Sequence, residues 1–353
     1  MFRHWASIFG LILLSIVFVD AGHPLWEAST KIKRAVPFDL NSPITTTWPE
    51  GIVPYCWANE RARGRLAHQL RGAINLWSAA GLPETRFKFR EMALEDCMRD
   101  RRNSLVIASQ RGSLEYTTTV GKYVGPVDEI VPGPFANFNE EADFARPSYP
   151  SNTVAEKIAH EIGHIFGLYH EHQDPYFSTP NHRLFTLYCQ HIEGYDQATA
   201  DLTFDEIWGE NGVCVNQHAA LDHGFASAAH FLPMQELNYL PHPDRGPENE
   251  DVDWDSIMLY HSSVASKRGP GDHPHTIVKA RGGRNYRIRI KRAPSRGDVR
   301  ALIRLYDASE TRPLPRLYHD PRSEYHTAFQ NLQNFQVCDW PQGGPSDGGP
   351  SGG

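Results

Sequence analysis

The stretch His160-Glu161-Ile162-Gly163-His164-Ile165-Phe166-Gly167-Leu168-Tyr169-His170 puts three imidazoles, a carboxylate and two glycines into eleven residues. Few folds can use that spacing. A helix turns about 100° per residue, so His160 and His164 stand one above the other on one face and can share an ion. Glu161 is offset by one position, beside such an ion without coordinating it, where it can take a proton from water. Gly167, three residues past His164, suits the left-handed conformation that ends a helix and turns the chain back, which brings His170 to the same point. Three neutral His ligands leave one position of a tetrahedral zinc open, as in catalytic rather than closed structural sites. The expected cofactor is therefore one Zn2+ per chain, held by His160, His164 and His170, with Glu161 as general base.

The competing reading is a solvated helix end in a His-rich chain, since the sequence holds 18 His. Helical periodicity argues against it. Val154, Ile158, Ile162 and Ile165 recur on the face away from the His pair. Ser151, Asn152 and Thr153 are candidate N-caps, and Thr153 and Glu156 stand at capping-box spacing. Later in the chain His172, His182, His191, His218, His223, His230 and His242 read as surface or hydrogen-bonded histidines, not ligands.

Asp253-Trp254-Asp255-Ser256-Ile257-Met258-Leu259-Tyr260 is the second signal. An HExxHxxGxxH site followed by a methionine turn marks the metzincins, and Ser256 to Tyr260 resembles the astacin form, with Leu259 in place of His. Trp48-Pro49-Glu50-Gly51-Ile52-Val53-Pro54-Tyr55 resembles the entry to the astacin catalytic domain. Thr118-Thr119-Val120-Gly121-Lys122 resembles the turn before the zinc helix, and Ser295-Arg296-Gly297-Asp298 with Leu305-Tyr306 the closing helix. The resemblance spans most of residues 45 to 306 and is nearest to secreted fungal astacin-like peptidases. Leu168 departs from the usual Phe, the stretch from His170 to Met258 is long for the family, and the cysteines do not follow the animal pattern.

That resemblance implies an α+β fold of two subdomains. An upper twisted mixed sheet with two helices, the zinc helix among them, faces a less regular lower half with the Met-turn and a C-terminal helix. It implies a secreted zinc endopeptidase acting on extended peptide or protein substrates. Met258 becomes the thioether beneath the ligands, Tyr260 the phenol that stabilises the oxyanion, and Glu171 the acid that contacts the mature N-terminus. Two other readings stay open: a zinc amidase acting on non-protein peptides, and a non-catalytic zinc-bearing binding protein. Glu161 counts against the second, because a binder needs the ligands but not the base.

Residues 1 to 21 read as a signal peptide: Arg3 and His4, an apolar run from Ile8 to Val19, then small residues at Val19 and Ala21. The run is about 12 residues, short of the roughly 20 needed to span a bilayer. Residues 22 to 34 read as a short propeptide ending in Lys33-Arg34, which makes Ala35 a candidate mature N-terminus. This segment has no Asp to present to zinc as the family's inhibitory prosegments do. The catalytic domain is expected over 35–310, with insertions near 125–150 and 180–250. The remainder, 311–353, reads as an extension whose Gly-, Ser- and Pro-rich end from about 341 is disordered.

Five cysteines fit an oxidising compartment and a secreted, extracellular protein. Cys56 with Cys97 and Cys189 with Cys214 is the favoured pairing, which leaves Cys338. A link from Cys97 to Cys338 better resembles the animal astacins and stays open. Net charge is −7, which points away from nucleic acid and from an anionic membrane once the signal is cleaved; a monomer is expected. The exception is Arg281 to Arg292, where charges alternate with apolar residues in Tyr286-Arg287-Ile288-Arg289-Ile290-Lys291. This reads as one face of a half-buried strand, or as an exosite for acidic substrates.

Leu66, Leu70, Ala73, Ile74 and Trp77 mark a helix over Arg65 to Trp77 that ends before Gly81-Leu82-Pro83. Phe87 to Arg90 and Ser104 to Ile107 read as strands, and an edge strand of this sheet would pair with extended substrate. Residues 125 to 150, with five prolines, read as a long loop beside the cleft mouth.

Overall fold

The computed structural model describes residues 36–110, 116–125, 133–140, 153–179, 182–234, 248–267 and 274–311. The signal peptide, the propeptide, Cys338 and all but the first residue of the C-terminal extension lie outside them. Two compact units are distinguished, Met1–Tyr306 and Asp307–Gly353. The sheets, the apolar cores and the His cluster belong to the first.

Two-residue strands β1 (Val36–Pro37) and β2 (Thr45–Thr46) precede β3 (Ile52–Trp57), helix α1 (Glu60–Ala79), β4 (Lys88–Glu91), helix α2 (Leu94–Arg99) and β5 (Leu105–Gln110). Then come β6 (Thr117–Thr118), β7 (Lys122–Tyr123), β8 (Phe135–Asn139), helix α3 (Val154–Phe166) and β9 (Leu168–Tyr169). Beyond these lie β10 (Ser178–Thr179), β11 (His182–Arg183), β12 (Phe185–Leu187) and four short helices, α4 (Tyr195–Ala198), α5 (Phe204–Trp208), α6 (Gln217–Asp222) and α7 (Ala226–Ala229). The last elements are β13 (Ile277–Arg281), β14 (Arg284–Tyr286) and α8 (Arg296–Thr311).

The fold is α+β around a mixed five-stranded sheet of order β4-β3-β5-β8-β6. β4, β3, β5 and β8 run parallel, and β6 is antiparallel to β8 at the edge. α1 forms because Asn59 caps it, accepting from the Ala62 N–H at 2.9 Å, and because Ala62, Leu66, Leu70, Ala73 and Trp77 make one buried stripe. It starts five residues before the expected Arg65, since Asn59 supplies the first cap that the charged turn Glu60 to Gly64 can use. Leu66 and Leu70 each stabilise by roughly 1.5–3 kcal/mol relative to exposure.

One expectation fails. Residues 125–150 are not a loop throughout, because Phe135–Asn139 is the strand β8 in the interior of the sheet. Prolines on both flanks hide it, and Phe-Ala-Asn-Phe-Asn lacks the β-branched residues that announce a strand. Arg101 secures its start, the guanidinium donating to Ser104 O and Pro134 O. The basic segment after Tyr286 also differs: β14 ends there, yet Ile288 is buried while Arg287 and Arg289 are exposed. Ile288 bonds Ser262 in place of a strand neighbour, its N–H donating to Ser262 Oγ and its carbonyl accepting from Ser262 N–H.

Two apolar cores result. The first lies between the sheet and helices α1 and α3, and includes Trp77, Leu105, Phe138, Ile158, Ile162 and Ile165. The second gathers Phe177, Ile192, Val213, Phe225, Phe231 and Ile277, all from the chain after the third His. Met258 belongs to the first and Leu259 to the second, so the methionine turn is where the cores adjoin. Cys56 pairs with Cys97, joining β3 to α2, and Cys189 pairs with Cys214, as the favoured pairing has it. Cys97 is thereby committed to Cys56 rather than to Cys338. No helix among the described residues is long and apolar enough to cross a membrane.

Candidate metal centre

α3 carries the first two imidazoles, and its ends are defined by the residues that the sequence singled out. Thr153 accepts from Glu156 N–H and Glu156 returns a bond to Thr153 N–H, a closed capping box. Gly167 ends the helix at φ 114°, and a Cβ there would lie 2.6 Å from the Phe38 ring, so both conformation and space call for glycine. β9 then pairs with β1, Val36 opposite Tyr169, and delivers His170.

His160, His164 and His170 converge. The Nε2 of His170 lies 3.1 Å from that of His164 and 3.1 Å from that of His160. Each Nδ1 faces an oxygen that can only accept: His160 meets Ile257 O at 2.7 Å, His164 meets Leu168 O at 2.6 Å and His170 meets Gln173 Oε1 at 2.6 Å. Each Nδ1 therefore carries the proton and each Nε2 presents a lone pair. Burial also keeps the rings neutral, pushing His160 down to about 4 and His164 and His170 well below the ordinary imidazole range. Three lone pairs crowded together in a largely buried cluster repel one another unless a cation lies among them. Tetrahedral zinc with bonds of about 2.0–2.1 Å sets ligand nitrogens roughly 3.3 Å apart, so the donor set fits that ion.

Glu161 follows His160 and is 6% exposed. Burial pushes its carboxyl up to about 8, which would keep it protonated at neutral pH; a dication at the triad acts in the opposite sense and favours the carboxylate. Tyr260 packs beside the triad, its ring centroid 4.2 Å from that of His170 and its plane tilted by 52°. Burial first, and the nearby Glu161 charge second, raise its phenol, so it remains a hydrogen-bond donor. Met258 is fully buried under α3: a Cβ on Gly163 would meet its sulfur at 2.3 Å. Gly163 is thus glycine because the thioether occupies its side-chain space.

Glu171 is fully buried. Its Oε1 accepts from Asp253 N–H at 2.7 Å, while Oε2 has no hydrogen-bond partner among the described residues. Burial raises its carboxyl well above the usual range. Of the other histidines, His172 is buried and hydrogen-bonded, stacked on His170 and tilted against Tyr260, with Nε2 donating to His230 O at 2.9 Å. His191 bonds His275 O, and His218, His223 and His230 are exposed. Among the described residues only the triad could hold a metal ion as a group.

Three contributors had no sequence signal assigned to them. Gln173 orients the third ligand. Asp298, read only as part of the closing helix, accepts from Ser256 Oγ at 2.6 Å, Ile257 N–H at 2.9 Å and Ser295 N–H at 2.8 Å, and so holds the turn whose Ile257 carbonyl orients His160. Trp48 joins α3 to α8, donating from Nε1 to Ile165 O at 2.8 Å and from its N–H to the Tyr306 phenol oxygen. Trp48 and Tyr306 were both quoted in the sequence, but for resemblance alone.

No protein-family model matches the sequence, and no curated protein matches it either. Among solved structures, that of myroilysin aligns with 81% of this chain and 96% of its own, at 15% identity and a TM-score of 0.37. That likeness is too slight to carry chemistry from one protein to the other.

Proposed function

We propose that this chain is a secreted zinc endopeptidase of the astacin-like metzincin type, acting on extended peptide or protein substrates. The observation that carries the reading is the triad itself: three imidazoles, His160 partly buried and His164 and His170 buried, each fixed as the Nδ1–H tautomer, with the Nε2 of His170 3.1 Å from each of the other two and a buried carboxylate on the residue after His160. When bound, a divalent metal supplies a Lewis acid that polarises the scissile carbonyl and makes water more acidic. His160, His164 and His170 hold it, and three protein ligands leave room for chemistry.

In this reading Glu161 takes the proton from the attacking water and returns it to the leaving amine. Tyr260 donates its O–H to the oxygen that becomes negatively charged; donors so placed contribute about 3–4 kcal/mol in related sites. Substrate runs along β6, an edge strand of the sheet, by main-chain hydrogen bonding. Its neighbourhood is tied to α3, since Gly121 N–H donates to His164 O at 2.8 Å. The two disulfides fit an exported protein.

Casein degradation tests the proposal. Loss of proteolysis with a zinc chelator and its return on adding zinc are expected. Zinc-loaded protein that leaves casein and other unfolded proteins intact removes the endopeptidase reading, and cleavage confined to cell-wall peptides selects the amidase.

A further inference from the structure

Gln173 is a buried amide at the junction of the third ligand and the segment that follows it, 4% exposed. All three of its polar functions are used. Oε1 accepts from His170 Nδ1–H at 2.6 Å, and Nε2 donates to Ala229 O at 3.3 Å and Leu232 O at 3.2 Å. The same stretch grips the site twice more: His172 donates to His230 O, and Phe231 stands edge-on to Tyr260 at 5.2 Å. Met234 N–H closes it by donating to Gln173 O at 3.0 Å.

These bonds have a direction of control. The carbonyls of Ala229 and Leu232 can only accept, so they fix which end of the amide faces them. A flipped amide would set Oε1 against two carbonyl oxygens and turn an N–H toward His170 Nδ1. His170 would then protonate at Nε2, and its lone pair would point away from the other two imidazoles. We propose that Gln173 is a positioning residue through which residues 226–234 set the tautomer of His170, and hence its competence as third metal ligand. This rests on the metal reading of the triad, and it makes the segment after the His string a working part of the centre. Because coupling is reciprocal, occupation of the triad in turn steadies residues 226–234.

The tautomer is readable without metal. In chelator-treated, 15N-labelled full-length protein, His170 is expected as the Nδ1–H form. Gln173→Met keeps the length of the side chain and removes its acceptor and donors, so a mixture with the Nε2–H form is expected. Competition with a chromophoric chelator should give zinc binding weaker by roughly 10- to 100-fold, the range for second-layer partners of ligating His. Cobalt in place of zinc should give shifted visible bands in the variant. Zinc added to the wild type should slow amide exchange across 226–234, and Gln173→Met should abolish that protection.

A variant with the wild-type tautomer, zinc affinity and cobalt spectrum overturns the proposal. If the variant does not fold, the wild type still decides: one bound zinc without added protection of 226–234 overturns the coupling. A wild type that takes up no zinc instead overturns the metal reading itself, and the two failures are distinct.

Discussion

Gln at position 161 preserves the shape of Glu161 and its hydrogen-bonding capacity but cannot accept a proton at neutral pH. Glu161→Gln is therefore expected to keep close to one zinc per chain while turnover falls at least about a hundredfold. Near-normal proteolysis by that variant would end the proposed mechanism. Tyr260 poses a different question, because its ring already packs against His170, His172 and Phe231. Phe retains that packing and loses only the O–H. Tyr260→Phe should lower kcat by tenfold or more with KM little changed, the pattern of a bond made only in the transition state; wild-type kinetics would leave Tyr260 as scaffold. The candidate ligands were legible in the sequence because their spacing is local, within one helix and one glycine turn. Gln173 was not, because its partners, the carbonyls of Ala229 and Leu232, lie 56 and 59 residues away and backbone oxygens carry no residue signature.

Helices were easier to read than strands, and the reason is length. α1 and α3 repeat their apolar stripe over several turns, so Leu66 to Trp77 and Ile158 to Ile165 announce a buried face, whereas α8 was expected from resemblance alone. β8 offers five residues between prolines, and only its neighbours in the sheet make it a strand. The turn between the cores is held by α8 through a reciprocal cap, Ser295 N–H to Asp298 Oδ2 and Asp298 N–H to Ser295 Oγ. Asp298→Ala orphans two backbone donors and should cost roughly 2–4 kcal/mol of stability. Burial pushes the Asp298 carboxyl up to about 6 from 3.8. A raised folded-state value means that its contribution is complete below about pH 4 and is lost as pH rises through about 6. Relative to Asp298→Asn, metal-free wild type should therefore lose stability between those values and change little above pH 7 in urea unfolding; a constant difference would contradict this. Gly163→Ala tests the packing of the same turn from above. Its Cβ would collide with the Met258 sulfur, and a loss of about 1–3 kcal/mol is expected, read as a lowered melting temperature.

On the scale of the whole molecule, the start of the described chain lies next to the centre. Val36 pairs with Tyr169, and Phe38 N–H donates to Gly167 O at 2.9 Å, so the chain enters beside the segment that carries His170 and Glu171. Cleavage after Lys33-Arg34 would create an ammonium at Ala35, one residue before that pairing. Glu171 has the matching need: a fully buried carboxyl, raised by burial, with Oε2 lacking a hydrogen-bond partner among the described residues. An uncompensated buried carboxylate is costly, and an ammonium nearby returns it to the charged form. We therefore expect the processed protein to begin at Ala35 and to melt higher than a form in which Lys33 and Arg34 are both replaced by Ala and the extension is retained. The comparison should be repeated in Glu171→Gln, where no carboxylate remains to meet the ammonium. If the two groups interact, processing raises the melting temperature only when Glu171 is present, and the non-additive part of that cycle measures their coupling. Equal gains in both backgrounds, or terminal sequencing that finds secreted protein starting at Gly22, would remove the N-terminal contact while leaving the triad and its metal reading intact.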